Sequence, residues 1–192
     1  MARPREFDEN AVLQGIKGVF WEYGYEATSY GDLIAASGLH KGSLYAAFGD
    51  KRSLYLRALA DYFDYEVASA ISLLTGENGD GVTAGIDRIE VLLNAVIDAV
   101  EVNQDRRGCL LCNAAVDQAP HSDEVEEVVA KGFDQMQQAF EVAMADKKKG
   151  VARRESASLL NAAYFGMRVM AKSGAPIAMM KNARNAALKA VR

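Results

Sequence analysis

Residues 28–55 read TSYGDLIAASGLHKGSLYAAFGDKRSLY, and this stretch decides the fold. Thr28 or Ser29 can cap a short helix whose apolar positions are Leu33, Ile34 and Ala36. Gly38 ends that helix. Lys41 to Phe48 then makes another short helix, with Leu44, Tyr45 and Phe48 on its apolar side. Gly49-Asp50 breaks it, and Asp50 can cap a long helix running from Lys51 to about Leu74.

Two short helices joined by Ser37-Gly38-Leu39-His40 carry the spacing of a helix-turn-helix, in which a short turn containing Gly sets the crossing. In that motif the second helix enters the DNA major groove with its N-terminal residues near base edges. Here that helix opens Lys41-Gly42-Ser43, small or cationic residues that allow close approach. Leu33, Ile34, Leu39, Leu44 and Phe48 form the side expected to be buried.

With these residues in hand, the stretch resembles the DNA-binding domain of the TetR/AcrR family of bacterial repressors. The matching pieces are Gly24-Tyr25 with Thr28-Ser29, then Asp32-Leu33-Ile34-Ala35, Gly38-Leu39, and Lys41-Gly42-Ser43-Leu44-Tyr45 with Phe48 and Lys51 behind it. They span roughly residues 10 to 57. The resemblance implies that Lys41, Gly42 and Ser43 face bases or nearby phosphates. Tyr45 would pack against and hydrogen-bond the DNA backbone, and Thr28, Ser29 and Lys51 would clamp phosphates. It also implies a double-stranded operator, a homodimer through the last two helices, and a small-molecule or electrophile inducer. The sequence departs from the family at His40, where Ser or Thr is usual. Histidine is a poorer N-cap and is left to reach a phosphate or base.

The rest of the chain reads as helix on both sides of this unit. From Phe7 to Tyr23, the positions Val12, Ile16, Val19, Phe20 and Tyr23 recur at helical steps before Gly24. Beyond a Gly76–Gly81 connector, Val82, Ile86, Ile89, Leu93, Val96 and Val100 mark a fifth helix, and Cys109 to Val116 a short sixth. Ser122 starts a seventh, Leu159 to Met170 lie on an eighth, and Pro176 opens a ninth. No segment alternates with period two. The expected fold class is all-α, with a helix-turn-helix domain over 1–50 and a ligand-binding and dimerisation domain over 51–192.

Composition bounds the function. The 192 residues are half apolar and a quarter charged, as in a globular chain with a core. No apolar run approaches the roughly 18 residues of a membrane span, and the start MARPREFDEN has no apolar stretch of a secretory signal. Two cysteines cannot staple a secreted scaffold, so the cytoplasm and no membrane partner are expected. The net charge of −4 argues at first against nucleic acid, but it lies entirely beyond residue 60. Residues 1–60 balance seven basic against seven acidic side chains, and Lys41, Lys51 and Arg52 outnumber Asp50 around the second helix. An acidic body behind a locally basic head limits non-specific DNA affinity.

No nucleophile–base pair, phosphate loop or cofactor motif appears, so neither catalysis nor a cofactor is expected. A zinc site needs about four ligands, against two cysteines with His40 and His121. In the second part, Phe133, Met136, Phe140, Met144, Tyr164, Met167 and Met170 form a stripe that can be ordinary core or line a cavity. Phe133, Tyr164 and Met167 are the ligand candidates. The run Arg107-Gly108-Cys109-Leu110-Leu111-Cys112-Asn113 resembles a Gly-Cys-x-x-x-Asn stretch in a subset of the family, some of whose members sense electrophiles or oxidants through cysteine. Cys109 near a helix N-terminus, with Arg106 and Arg107 beside it, is expected to be thiolate-prone, with Cys112 a resolving partner and Asn113 adjacent. The same cysteines can instead be small buried hydrophobes. The alanines Ala162, Ala163, Ala183, Ala186, Ala187 and Ala190 with Gly166 suit close helix packing in a dimer.

Overall fold

The computed structural model describes residues 7–77, 81 and 84–192. Among these, all regular structure is helical: α1 (Glu9–Ala27), α2 (Tyr30–Ser37), α3 (Lys41–Phe48), α4 (Lys51–Tyr62), α5 (Ala68–Thr75), α6 (Gly85–Glu101), α7 (Leu110–Asp117), α8 (Asp123–Ala143), α9 (Gly150–Lys172) and α10 (Ile177–Val191). Residues 78–80, in the connector expected around Gly79, and the expected helix start at Val82 lie outside the described residues.

The front of the molecule is built on α1. Asp8 caps it by accepting from the Asn10 and Ala11 amides at 2.9 and 3.3 Å. Its inner face sends Ile16 and Phe20 into a core shared with Leu33 of α2, Leu44 and Phe48 of α3, and Leu54, Tyr55 and Ala58 of α4, all buried. Phe20 meets the edge of Tyr55 at 5.1 Å between ring centres. The expected stop at Gly24 is a kink instead. Gly24 has φ +78° and ψ 178°, and the helix continues past it to Ala27. A side chain is strained at that φ, and an added Cβ would lie 3.2 Å from the Asp117 carboxylate.

The long helix expected over Lys51–Leu74 is broken in its hydrogen bonding. Between α4 and α5, residues Phe63–Val67 form a π-turn. Lys17, almost wholly buried, reaches Asp61 on one side of that turn and Glu66 on the other, both at 2.8 Å. Residues five apart on a regular α-helix point about 140° away from each other. The wider turn brings both carboxylates onto one cation. They hold the Lys17 ammonium above its ordinary pKa although burial pushes it the other way.

Behind this front, α8 and α9 pair along their length and α10 packs on α6 and α9. Ile89, Leu93 and Val96 of α6 meet a core of Met136 and Phe140 from α8, and Leu160 and Met167 from α9. Ser122 caps α8 as expected, accepting from the Val125 amide. Its hydroxyl also accepts from Arg52 at 2.9 Å, and Arg52 pairs with Glu124 at 2.6 Å. The first turn of α4 is thereby tied to the first turn of α8.

Gly85 sits where α6 crosses the end of α8. An added Cβ would lie 1.8 Å from the Ala143 carbonyl oxygen, a backbone atom that cannot swing aside. Gly85→Ala is therefore expected to cost about 3 kcal/mol through forced backbone separation. Urea unfolding followed by circular dichroism checks it; an unchanged midpoint would contradict the α6–α8 contact.

Candidate nucleic-acid interface and buried thiol centre

The reading head is made by α2 and α3. Ser29 and Asp32 form a full capping box: Ser29 accepts from the Asp32 amide at 3.2 Å, and the Asp32 carboxylate accepts from the Ser29 amide at 2.8 Å. These bonds hold the Asp32 carboxyl below its ordinary range. Gly38 closes α2 by donating its amide N–H to the Ile34 carbonyl at 3.0 Å. His40 then occupies the N-cap of α3 with no side-chain capping bond, and its side chain is exposed. Leu44 and Phe48 anchor α3 in the core, while Lys41, Gly42 and Ser43 are exposed at its first turn. Among the described residues, nothing beyond its own helix backbone and chain neighbours lies within 4 Å of where a Cβ on Gly42 would stand, so their packing does not require a glycine there.

Tyr45 does not stand alone. Its ring packs on Tyr30 at 5.3 Å, and Lys41 lies over both rings, at 5.8 and 5.5 Å. A hydrogen bond to Tyr30 leads the causes that push the Tyr45 hydroxyl up to about 12, so it stays a neutral donor. Tyr30 in turn accepts from the Lys51 amide at 3.3 Å, and the Lys51 ammonium lies 4.4 Å from the Tyr25 ring. Lys41, Tyr45, Tyr30, Lys51 and Tyr25 thus form one cation–aromatic ladder across α1–α4. Tyr25 and Tyr30 are not singled out by the helix-turn-helix spacing; the available signal is that seven of the eight tyrosines lie at or before Tyr65.

Thr28 stands differently from the rest. It is buried, and its hydroxyl donates to the Gly24 carbonyl at 2.6 Å. Its side chain closes the α1–α2 corner and is not placed to clamp a phosphate, because burial and an internal acceptor have already used it.

The second constellation lies behind the head. Cys109 is the N-cap of α7, not within it, and Cys112 is in the first turn; both are free thiols and buried. Tyr62, the last residue of α4, donates its hydroxyl to Cys109 Sγ at 3.4 Å and accepts from Arg168 Nη2 of α9 at 2.8 Å. Burial alone would push the Cys109 thiol up. The hydrogen bond from Cys112, the Arg168 charge and the Tyr62 hydroxyl outweigh it and hold Cys109 well below the usual thiol range. Donating that bond, and being buried, pushes Cys112 up.

The cations expected to act on Cys109 are committed elsewhere. Arg107 pairs with Asp105 at 2.6 Å and lies over Trp21 at 4.1 Å, while Arg106 donates to the Ala171 and Ala175 carbonyls. Arg168, distant in sequence, takes their place.

Two concavities flank this cluster. A cavity of about 610 Å³ between α5, α6 and α9 is lined by Leu73, Leu92, Val96, Tyr164 and Arg168. A groove of about 500 Å³ is lined by Cys112, Asn113, Val116, Asp117 and Val169. Of the ligand candidates, Tyr164 reaches the cavity. Phe133 meets Phe165 edge-on at 4.6 Å between ring centres and Met167 is fully buried; both line neither space and serve as packing. Asn113 donates to the Trp21 carbonyl at 3.2 Å, tying α7 to α1. Cys109 lines neither space, whereas Cys112 opens on the groove. Among the described residues no three His, Cys, Asp or Glu side chains gather as a metal site, and no helix is long and apolar enough to cross a membrane.

The arrangement has close relatives. Residues 12–58 match the family model of bacterial regulatory proteins of the tetR family, and residues 85–186 match the LmrA/YxaF-like transcriptional regulator C-terminal domain. The HTH-type transcriptional regulator YezE of Bacillus subtilis is 34% identical over 140 residues, 73% of this chain and 70% of that one. The HTH-type transcriptional repressor ComR of Escherichia coli is 27% identical over 184 residues, 91% of this chain and 84% of that one. Among solved structures, a cysteine-substituted CifR complexed with a 26-base-pair double-strand operator DNA superposes with a TM-score of 0.83 at 29% identity, covering 98% of this chain and 99% of that one. The helix-turn-helix front and the helical body with its thiol centre therefore belong together in a member of the tetR family of bacterial regulatory proteins.

Proposed function

We propose that this chain is a homodimeric repressor that grips a palindromic operator through α3 and releases it when the Cys109 centre changes state. The observation that carries the reading is the split character of α3. Leu44 and Phe48 fix it in the core, and Lys41, Gly42 and Ser43 at its first turn face outward uncovered. Ser29, His40, Lys41, Gly42, Ser43, Tyr45 and Lys51 are the DNA contacts, with the Tyr45 hydroxyl turning from Tyr30 to donate to the backbone and the lysines neutralising phosphates. Residues 1–50 form the reading head and 51–192 the sensing and dimerising body, with α4 serving both. Two heads one helical turn apart need a two-fold axis. Leu159 and Val169 on α9 and Met179 on α10 are about half exposed, beside the small residues Ala162, Gly166, Ala186 and Ala190, which suits a dimer through these helices.

Release runs through two struts that start at Cys109. Tyr62 ends α4, whose first turn lies behind α3. Helix α7 ends at Asp117, which accepts from the Tyr25 amide at 2.8 Å beside the Gly24 kink. An electrophile that alkylates Cys109 adds bulk to a fully packed site. A peroxide takes its thiolate to a sulfenic acid, which condenses with the Cys112 thiol, losing water and forming a disulfide. Either change must displace Tyr62 or the α7 N-terminus, and so biases the dimer between two shapes with different operator affinity. A second reading, with structural cysteines and a reversible ligand, is favoured by the cavity beside Arg168.

Gel shifts on the DNA upstream of the gene test the first part. Affinity should fall steeply with salt, and Lys41→Ala should weaken it by roughly tenfold or more. Unchanged affinity removes the α3 assignment. Cys109→Ser should bind DNA as before yet resist release by N-ethylmaleimide or peroxide; equal release would shift the role to the cavity.

The thiol's environment is open to a separate measurement. With Cys109 held below the usual range, its iodoacetamide reaction rate, followed by mass spectrometry, should rise in mild acid and be level around neutrality. In Arg168→Met the rise should move towards alkaline pH, because the cation that favours the thiolate is gone. An unmoved profile in a folded variant would show that Arg168 does not act on the thiol.

A further inference from the structure

The cavity between α5, α6 and α9 has one chemical peculiarity. Its two acidic residues each have a cation of their own: Glu66 is held by Lys17 at 2.8 Å and Asp105 by Arg107 at 2.6 Å. Its arginine makes no ion pair within 4 Å among the described residues, although its charge reaches Asp105. Arg168 Nη2 donates to the Tyr62 hydroxyl, and its guanidinium lies 5.7 Å from the Tyr164 ring centre. Arg168 Nε is shut off from solvent and donates to nothing, and Nη1 makes no hydrogen bond to the described protein groups. A guanidinium brings five donors in a rigid fork, and a donor shut off from water without a partner, as Nε is here, is costly.

The walls around it are apolar. Ala70 and Leu73 come from α5, and Val91, Leu92 and Val96 from α6. We propose that this cavity receives a monocarboxylate with an apolar body, its carboxylate on the Nη1 side of Arg168 and its body along α6. The proposal rests on the reading of the cavity as a sensory site and names the chemistry it selects. A carboxylate matches the guanidinium in shape and charge, and in a partly dry site a charge-assisted pair is stronger than a neutral one. The paired acids at the same cavity weigh against a second negative charge on the ligand. An apolar alcohol or amide of the same length fills the walls equally well but leaves the guanidinium unsatisfied.

Calorimetric titration of the full chain with sodium octanoate and, separately, with 1-octanol tests this without DNA. Octanoate should bind about tenfold or more tightly than octanol, as a charge-assisted contact predicts. Arg168→Met should bring the two ligands to similar affinity by weakening octanoate alone. Parity in the wild type, no saturable binding of either, or a preference that survives Arg168→Met would overturn the proposal. The wild-type comparison decides the matter even if the variant fails to fold. Failure here leaves the operator reading standing, because that reading is judged by gel shift, and failure of the gel shift leaves this titration interpretable.

Discussion

A partly buried cation between helices organises the centre of this molecule. Taking a guanidinium out of water costs several kcal/mol unless acceptors and anions replace its hydration. For Arg168 those replacements are the Tyr62 hydroxyl and the Cys109 sulfur beyond it. They come from two separate elements, the end of α4 and the N-cap of α7, so that with α9 the chain of contacts joins three. The order of the hydrogen bonds is fixed because guanidinium only donates. Tyr62 must accept from it and can then give its own proton to sulfur. That direction favours sulfur in its anionic form, so the polarity of one arginine propagates across two helices to a thiol.

The same centre explains why a short helix such as α7 matters. Its eight residues bury Leu110, Leu111, Cys112 and Ala114, and both its ends are also held by specific bonds. Cys109 caps it at the thiol centre, and Asp117 receives the Tyr25 amide at the kink of α1. Asn113, between them, donates to the Trp21 carbonyl. Trp21 also donates to the Gly108 carbonyl at 3.2 Å and meets Tyr62 edge-on at 4.9 Å. A rigid rod pinned at both ends transmits displacement, whereas a helix packed only by apolar contacts would absorb it. The π-turn after Tyr62 serves the complementary purpose, since it lets the α4–α5 rod place Asp61 and Glu66 on Lys17 while Tyr62 points inward.

How much of this could be read from the sequence follows from the range of each interaction. The α2–turn–α3 unit, the Ser29–Asp32 box and the caps at Asp50 and Ser122 are local, spanning only a few residues, and sequence spacing predicts them. The buried or exposed fate of Thr28 was not local, because it depends on a kink at Gly24 that Asp117 stabilises from across the chain. The aromatic and methionine stripe has helical period whichever neighbour it meets, so periodicity alone could not tell Tyr164, at a cavity, from Met167, in packing. Arg106 and Arg107 were natural candidates to act on the thiol because they are adjacent to it. Adjacency proved misleading because Asp105 and the α9 carbonyls take them first. Arg168 meets Tyr62 across 106 residues, a distance at which sequence gives no signal.

One guanidinium facing both a thiolate and a cavity has a thermodynamic consequence. Anions on either side draw on the same positive charge, so each weakens the hold of the other. A carboxylate seated on Arg168 takes away part of the field that favours the Cys109 thiolate, and the thiol reacts less readily. By reciprocity, a Cys109 made neutral by alkylation or disulfide formation leaves Arg168 short of a counter-charge and raises its affinity for a carboxylate by the same factor. The covalent and reversible readings of the sensor then describe two inputs to one charge balance. In the proposed sensor, an electrophilic carbon would be answered by the sulfur and an anionic head by the arginine, the two being joined within a single hydrogen-bonded chain.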